Sequence, residues 1–156
     1  MKEKINKMIK ITKDNIESVL EYYHDFHDSI IDSKDIEFKD NVLTILIDIY
    51  WRGEPILKEN GFYEKSNYKL KLKFSDIKEF NFKNNDYSID EIYFKIVKDN
   101  NEEYFCFADD EKEPYFYIIC KNIEYEEVKN NIEKEIILWF IWLHIIPYIT
   151  NKTKRY

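Results

Sequence analysis

Two histidines and two aspartates fall close together in the stretch His24-Asp25-Phe26-His27-Asp28. At a helical end, side chains three apart share a face, so His24 and His27 have the spacing to grip one metal ion, with Asp25 and Asp28 as oxygen ligands. Such a centre would suit a metal-dependent hydrolase. A closed zinc site takes four suitable ligands, however, and the third histidine, His144, lies far along the chain in an apolar run. The less demanding reading is structural: a histidine-aspartate pair at a helix-to-strand corner bonds exposed backbone groups and fixes the turn.

Nucleophilic catalysis would need Cys106 or Ser29 beside His24 or His27, with Asp25 or Asp28 orienting the base. Nothing in the sequence brings them together. The chain has no glycine-rich phosphate loop, no Gly-x-Ser-x-Gly elbow, no His-Glu-x-x-His and no Cys-x-x-Cys, and its two glycines give little of the backbone freedom such loops use. Cys106 and Cys120 both lie in apolar runs, where a thiol acts as a small buried hydrophobe. The expectation is a protein that is not an enzyme, with no catalytic residue and no cofactor.

Acidic residues gather at Asp109 to Glu113 and again from Glu124 to Glu135. A formal charge of -7 is opposite in sign to what phosphate neutralisation needs, so nucleic acid is not the expected partner. A charge run can be simply a solvated face. An acidic loop beside aromatic residues can also dock a basic protein, the carboxylates steering the encounter and the rings forming a dry anchor. On that reading the partner-binding set is Asp109, Asp110, Glu111, Glu113, Tyr115 and Tyr117.

The elements that must position these groups follow from hydrophobic period. Ile16, Val19, Leu20, Tyr23 and Phe26 recur at three- and four-residue steps, which predicts a helix over about 13–26 capped by Thr12 or Asp14. The period then becomes two. Ser29 to Phe38 and Val42 to Trp51 flank Asp40-Asn41, a pair that accepts left-handed backbone and predicts a tight hairpin. Residues 52–67 hold both glycines and Pro55 and read as a long irregular connection. Tyr68, Leu70, Leu72 and Phe74 alternate with Lys69, Lys71 and Lys73, a strand with one apolar and one basic face. Further strands are expected over Glu91 to Lys98, Glu103 to Ala108 and Tyr115 to Cys120, about six in all over 29–120, linked as an antiparallel meander.

After Asn122 the residues Glu124, Glu126 and Glu127, followed by Val128, Ile132 and Ile136, predict a second helix over about 123–146 that ends before Pro147. Its stretch 136–149 contains no lysine or acidic residue and is apolar all round, yet is shorter than the roughly 20 residues that span a bilayer. It reads as a buried helix, as a homodimer contact through Trp139, Trp142 and Ile145, or as a segment at a membrane edge. A membrane is not the expected partner. The tail 150–156 is polar and expected to fray.

The order Phe26-His27-Asp28-Ser29-x-Ile31, then Val42-Leu43-Thr44-Ile45-Leu46-Ile47-Asp48, then Leu70-x-Leu72-x-Phe74-x-x-Ile77, resembles small bacterial uncharacterised domains with an aromatic or leucine before His-Asp-Ser/Ala at the start of the first strand. Some of those domains are similar to immunity proteins of bacterial toxin systems. The resemblance covers Phe26 to Ile123 and carries no catalytic role with it. It implies a non-enzymatic protein that neutralises a toxin by binding it.

With 156 residues, 44% hydrophobic, the chain is sized for one domain over 1–156. No signal peptide is visible near the N-terminus, and a cytoplasmic location is expected. The expected fold is α+β: an antiparallel sheet of about six strands flanked by an N-terminal helix and a long apolar C-terminal helix. The expected function is an immunity-type inhibitor of a basic toxin, with a hydrolase using His24, Asp25, His27 and Asp28, or a structural homodimer or membrane-edge module, as alternatives.

Overall fold

The computed structural model describes residues 7–83 and 87–130. They form nine strands, β1 (Ile9–Ile11), β2 (Ser29–Ile31), β3 (Ile36–Lys39), β4 (Val42–Asp48), β5 (Tyr68–Phe82), β6 (Tyr87–Ile89), β7 (Tyr93–Asp99), β8 (Glu102–Ala108) and β9 (Phe116–Lys129). One α-helix, α1 (Ile16–Tyr22), joins them. The expected α+β fold is therefore corrected to a mostly β one. No helix among the described residues is long and apolar enough to cross a membrane.

The strands make a single antiparallel sheet in the order β6-β2-β4-β5-β9-β8-β7, with β3 also on β4 and β1 also on β9. β5 and β9 are its spine, paired from Tyr68 opposite Lys129 to Phe82 opposite Phe116 with one bulge in β5 between Ile77 and Glu79. The expected meander holds only for β3-β4-β5 and β7-β8-β9; the pairing of β5 with β9 joins strands far apart in sequence. Tyr87 on β6, at one end of the order, lies 5.2 Å ring to ring from Phe116 on β9, so the sheet must curl over its own inner face. Phe26 reaches Phe107 at 6.2 Å, and Phe74 reaches the same ring at 5.5 Å. Leu43, Ile45, Ile47, Leu70, Leu72, Phe74, Phe116 and Ile118 face inward and are fully buried, as the period of two requires.

The long C-terminal helix is corrected where the structure describes it: residues 123–129, expected as its first turns, continue β9. Glutamate favours helices in isolation, but here Glu126 pairs with Lys71 at 3.2 Å and Glu124 stands opposite Lys73, so the basic face of β5 makes the acidic run a good strand. Where Asp76 of β5 takes φ of +50, the inward residues of the facing stretch of β9 step by three, from Cys120 to Ile123. That three-residue step mimics helical spacing. The rest of the expected helix, with Trp139, Trp142, His144 and Ile145, and the tail 150–156 lie outside the described residues.

The N-terminal helix is shorter than expected, because His24, Asp25 and Phe26 take φ of +50, +52 and +58, values an α-helix cannot continue through. Neither Thr12 nor Asp14 caps it by side chain. Asn15 occupies the cap position, its Oδ1 accepting from Thr12 N at 2.7 Å. The first expected strand is split into β2 and β3 by a turn at Ser33–Asp35, where the Asp32 carboxylate accepts from Lys34 N. The hairpin at Asp40-Asn41 forms as expected, both residues left-handed.

Candidate functional site

Residues 22–29 turn from α1 into β2 through an unusual corner, with four of them, His24, Asp25, Phe26 and Asp28, at positive φ. Left-handed backbone costs an L-residue about 1–2 kcal/mol, so the corner needs outside support. It has four ties. His24 Nε2 lies 2.7 Å from the Gly53 carbonyl, and Gly53 N donates to the Tyr22 carbonyl at 2.8 Å. Trp51 Nε1 donates to Asp28 at 3.0 Å, and Ile92 N donates to the Asp25 carbonyl at 2.9 Å. Gly53 has φ of +61, and a Cβ there would stand 3.2 Å from the Tyr22 ring, so glycine is favoured on both counts.

Three of the four residues expected to hold a metal, His24, His27 and Asp28, have their side chains engaged elsewhere, and Asp25 is tied through its backbone carbonyl. His27 Nδ1 pairs with Asp28 at 3.0 Å, while His24 turns to Gly53 and lies against Trp51. Bonds from Trp51 and His27 hold the Asp28 carboxyl below its usual range; partial burial pushes that of Asp25 up. Among the described residues no three His, Cys, Asp or Glu side chains gather to hold an ion.

Sequence reading did not single out the cluster beside this corner. Arg52 bonds both oxygens of Glu127, Nε at 2.7 Å and Nη2 at 2.9 Å, and its guanidinium stacks 4.3 Å from the centre of Tyr68. Tyr23 donates its hydroxyl to the same carboxylate at 2.9 Å. Arg52 holds the Glu127 carboxyl below its usual range, and burial pushes the Tyr23 phenol well above its own. The cluster borders a cleft of about 570 Å³ between α1 and β9, walled by Tyr22, Tyr23 and Tyr125. The one available signal was rarity: Arg52 and Arg155 are the only arginines in a lysine-rich chain.

The connection expected to be irregular contains a small hairpin. Leu57 pairs with Tyr63, Lys58 N donates to the Phe62 carbonyl, and Gly61 takes φ of +81 at the turn. It displays Ile56, Leu57 and Phe62, the last 72% exposed.

The acidic loop 109–115 joins β8 to β9, and its fold comes from its own carboxylates. Asp110 Oδ1 accepts from Lys112 N and Glu113 N, both at 2.8 Å, which holds its carboxyl low; Asp109 accepts from Phe116 N at 3.0 Å. Asp110 and Glu111 stand at one end of a groove of about 290 Å³ on the outer face of β7, β8 and β9. Its floor is Val97, Cys106, Ala108, Tyr117 and Ile119, residues that cross-strand register puts on one side of the sheet. Tyr117 bonds Glu79, and burial raises the Cys106 thiol. Glu91 above all, with Asp110 and Glu111, pushes the Tyr93 phenol up, which marks negative potential at this end.

Of the six residues expected to meet a partner, the structure brings Asp110, Glu111 and Tyr117 to the groove. Asp109 and Glu113 shape the loop, and Tyr115 is 58% exposed outside the groove lining. The two cysteines part company, Cys106 on the groove floor and Cys120 in the core, both as free thiols. No family model, no curated protein and no solved structure matches this chain.

Proposed function

We propose that the protein is a non-enzymatic binding module of the immunity type, which neutralises a basic protein toxin by docking it over the outer face of β7, β8 and β9. The observation that carries this reading is the groove itself, an apolar floor with carboxylates at one end. A lysine or arginine of a partner would lay its aliphatic stem on Val97, Ala108 and Ile119 and bring its charge to Asp110 and Glu111. The chain's charge of -7 favours encounter with a basic protein, and the resemblance around Phe26-His27-Asp28-Ser29 agrees with the toxin class. The left-handed corner, with its side chains turned inward to Gly53 and Trp51, serves to pack α1 and Phe26 onto the sheet.

The test is capture of the tagged chain's partner from its native lysate, followed by reconstitution of the purified pair. A one-to-one complex that survives moderate salt, weakens at least tenfold with Glu111→Lys or Ile119→Asp, and relieves growth arrest by the partner is the expected result. Recovery of the chain alone, or a partner that binds both variants as well as the native protein, would overturn it.

A further inference from the structure

The sheet ends on β7, and among the described residues this strand pairs only with β8. The opposite end, β6, is three residues long, whereas β7 is seven. The geometry of its turn tells which backbone groups are open. Asn100 and Asn101 both have positive φ, +47 and +66, and close a two-residue hairpin between Asp99 and Glu102. In such a hairpin the flanking residues form a hydrogen-bonded pair and bonding alternates from there, so Asp99, Val97, Lys95 and Tyr93 bond to β8. The N–H and C=O groups of Phe94, Ile96 and Lys98 face outward from the sheet.

An open edge of this length is one that soluble proteins usually blunt. Here Lys98 is matched to Glu103 at 3.6 Å, Ile96 is 40% exposed, and the outer face of the strand, Tyr93, Lys95 and Val97, lines the groove. At the Tyr93 end stand Glu91, Asp110 and Glu111.

Resting on the docking reading above, we propose that β7 is a strand-addition edge: an extended segment of the basic partner pairs with the outward backbone groups of Phe94, Ile96 and Lys98. The segment's side chains opposite Lys95 and Val97 project onto the groove face, where one apolar residue reaches the floor and basic residues at the Tyr93 end meet Glu91, Asp110 and Glu111. A row of unpaired backbone groups is satisfied by a strand and not by a helix, whose own backbone is already bonded. Self-pairing of β7 between two copies would bring together two chains of charge -7, so charge favours a basic partner over a second copy.

The probe is a short acetylated, amidated peptide with alternating valine and threonine at its centre and lysines at both ends, titrated into the full chain. Amide hydrogen exchange is followed by NMR. At about ten times the dissociation constant, exchange at Ile96 and Lys98 should slow about tenfold, since only the free fraction exchanges. The same peptide N-methylated at alternate central residues should give no protection. Ile96→Pro, which removes an outward N–H and no bond to β8, should abolish binding while circular dichroism stays native. Equal binding of both peptides, with changes confined to Val97, Cys106 and Ile119, would overturn strand addition and leave groove docking standing. Failure of both peptides to bind overturns strand addition, and the docking reading is then decided by Glu111→Lys and Ile119→Asp in the reconstituted complex. Protection of the β7 edge that rises with protein concentration and needs no peptide would assign the edge to a second copy and overturn the proposal.

Discussion

Arg52 and Glu127 lie 75 residues apart in the chain and meet through two hydrogen bonds of 2.7 and 2.9 Å, with the guanidinium laid over Tyr68. Glu127 also accepts from Tyr23, so one carboxylate joins the end of α1, the connection after β4 and the spine of the sheet. A planar fork and a stacking face are both used, and lysine supplies neither. Arg52→Lys is expected to destabilise by about 2 kcal/mol, as expected when charged hydrogen bonds are lost in a partly buried site. Urea unfolding at neutral pH measures it; a change near zero would mean that the pair is screened out.

The same pair predicts an acid-sensitive step. The Glu127 carboxyl sits below its ordinary value of 4.5 because Arg52 and Tyr23 hold its charged form. A lowered value in the fold means stability that is present above the unfolded value and lost as pH falls through the folded one. Glu127→Gln should therefore flatten the loss of stability on acidification while costing stability at neutral pH. Parallel pH curves for the two proteins would count against this.

Asp25 runs the opposite way. Burial raises its carboxyl, so its protonated form favours the fold, and that contribution disappears as pH rises through the folded value. Its φ of +52 adds strain that glycine does not feel. Asp25→Gly is expected to raise stability at neutral pH by up to about 1 kcal/mol, the larger chain entropy of unfolded glycine offsetting part of the gain. Thermal unfolding would show a higher Tm, and a lower one would refute the strain argument.

The two thiols should differ in reactivity. Burial pushes Cys120 up to about 12, inside the core, while Cys106 lies on the groove floor with a smaller rise. Thiolate is the reactive form, so iodoacetamide should modify Cys106 slowly and leave Cys120 untouched until the chain unfolds. Peptide mass mapping over time reads the order, and simultaneous labelling would contradict it.

Phe74 is fully buried and lies 5.5 Å from the ring of Phe107, which also meets Phe26 and Phe116. Phe74→Ala should cost about 3–5 kcal/mol, the range for emptying an aromatic core position. A cost below about 1 kcal/mol would mean that the curl of the sheet is not held by this cluster.

What the sequence determined by itself was local. Alternation in Val42–Asp48 and in Tyr68–Phe74 decided which side chains face inward, because a strand has a period of two wherever it lies. Asp40-Asn41 and Asn100-Asn101 decided two turns, because few residue types accept left-handed backbone. The acidic loop was legible as a surface feature, since Asp110 folds it through its own next few amides. Tertiary structure decided the rest. Residues 123–129 are strand and not helix because Lys69, Lys71 and Lys73 stand across from them, a partner set some fifty residues away that local propensity cannot register. The corner at His24-Asp25-Phe26 is left-handed because Gly53, Trp51 and Ile92 hold it there, against local preference. The groove and the open edge of β7 exist only because β9 pairs with β5 on one side and with β8 on the other, a choice made by the fit of long faces and not by any short motif.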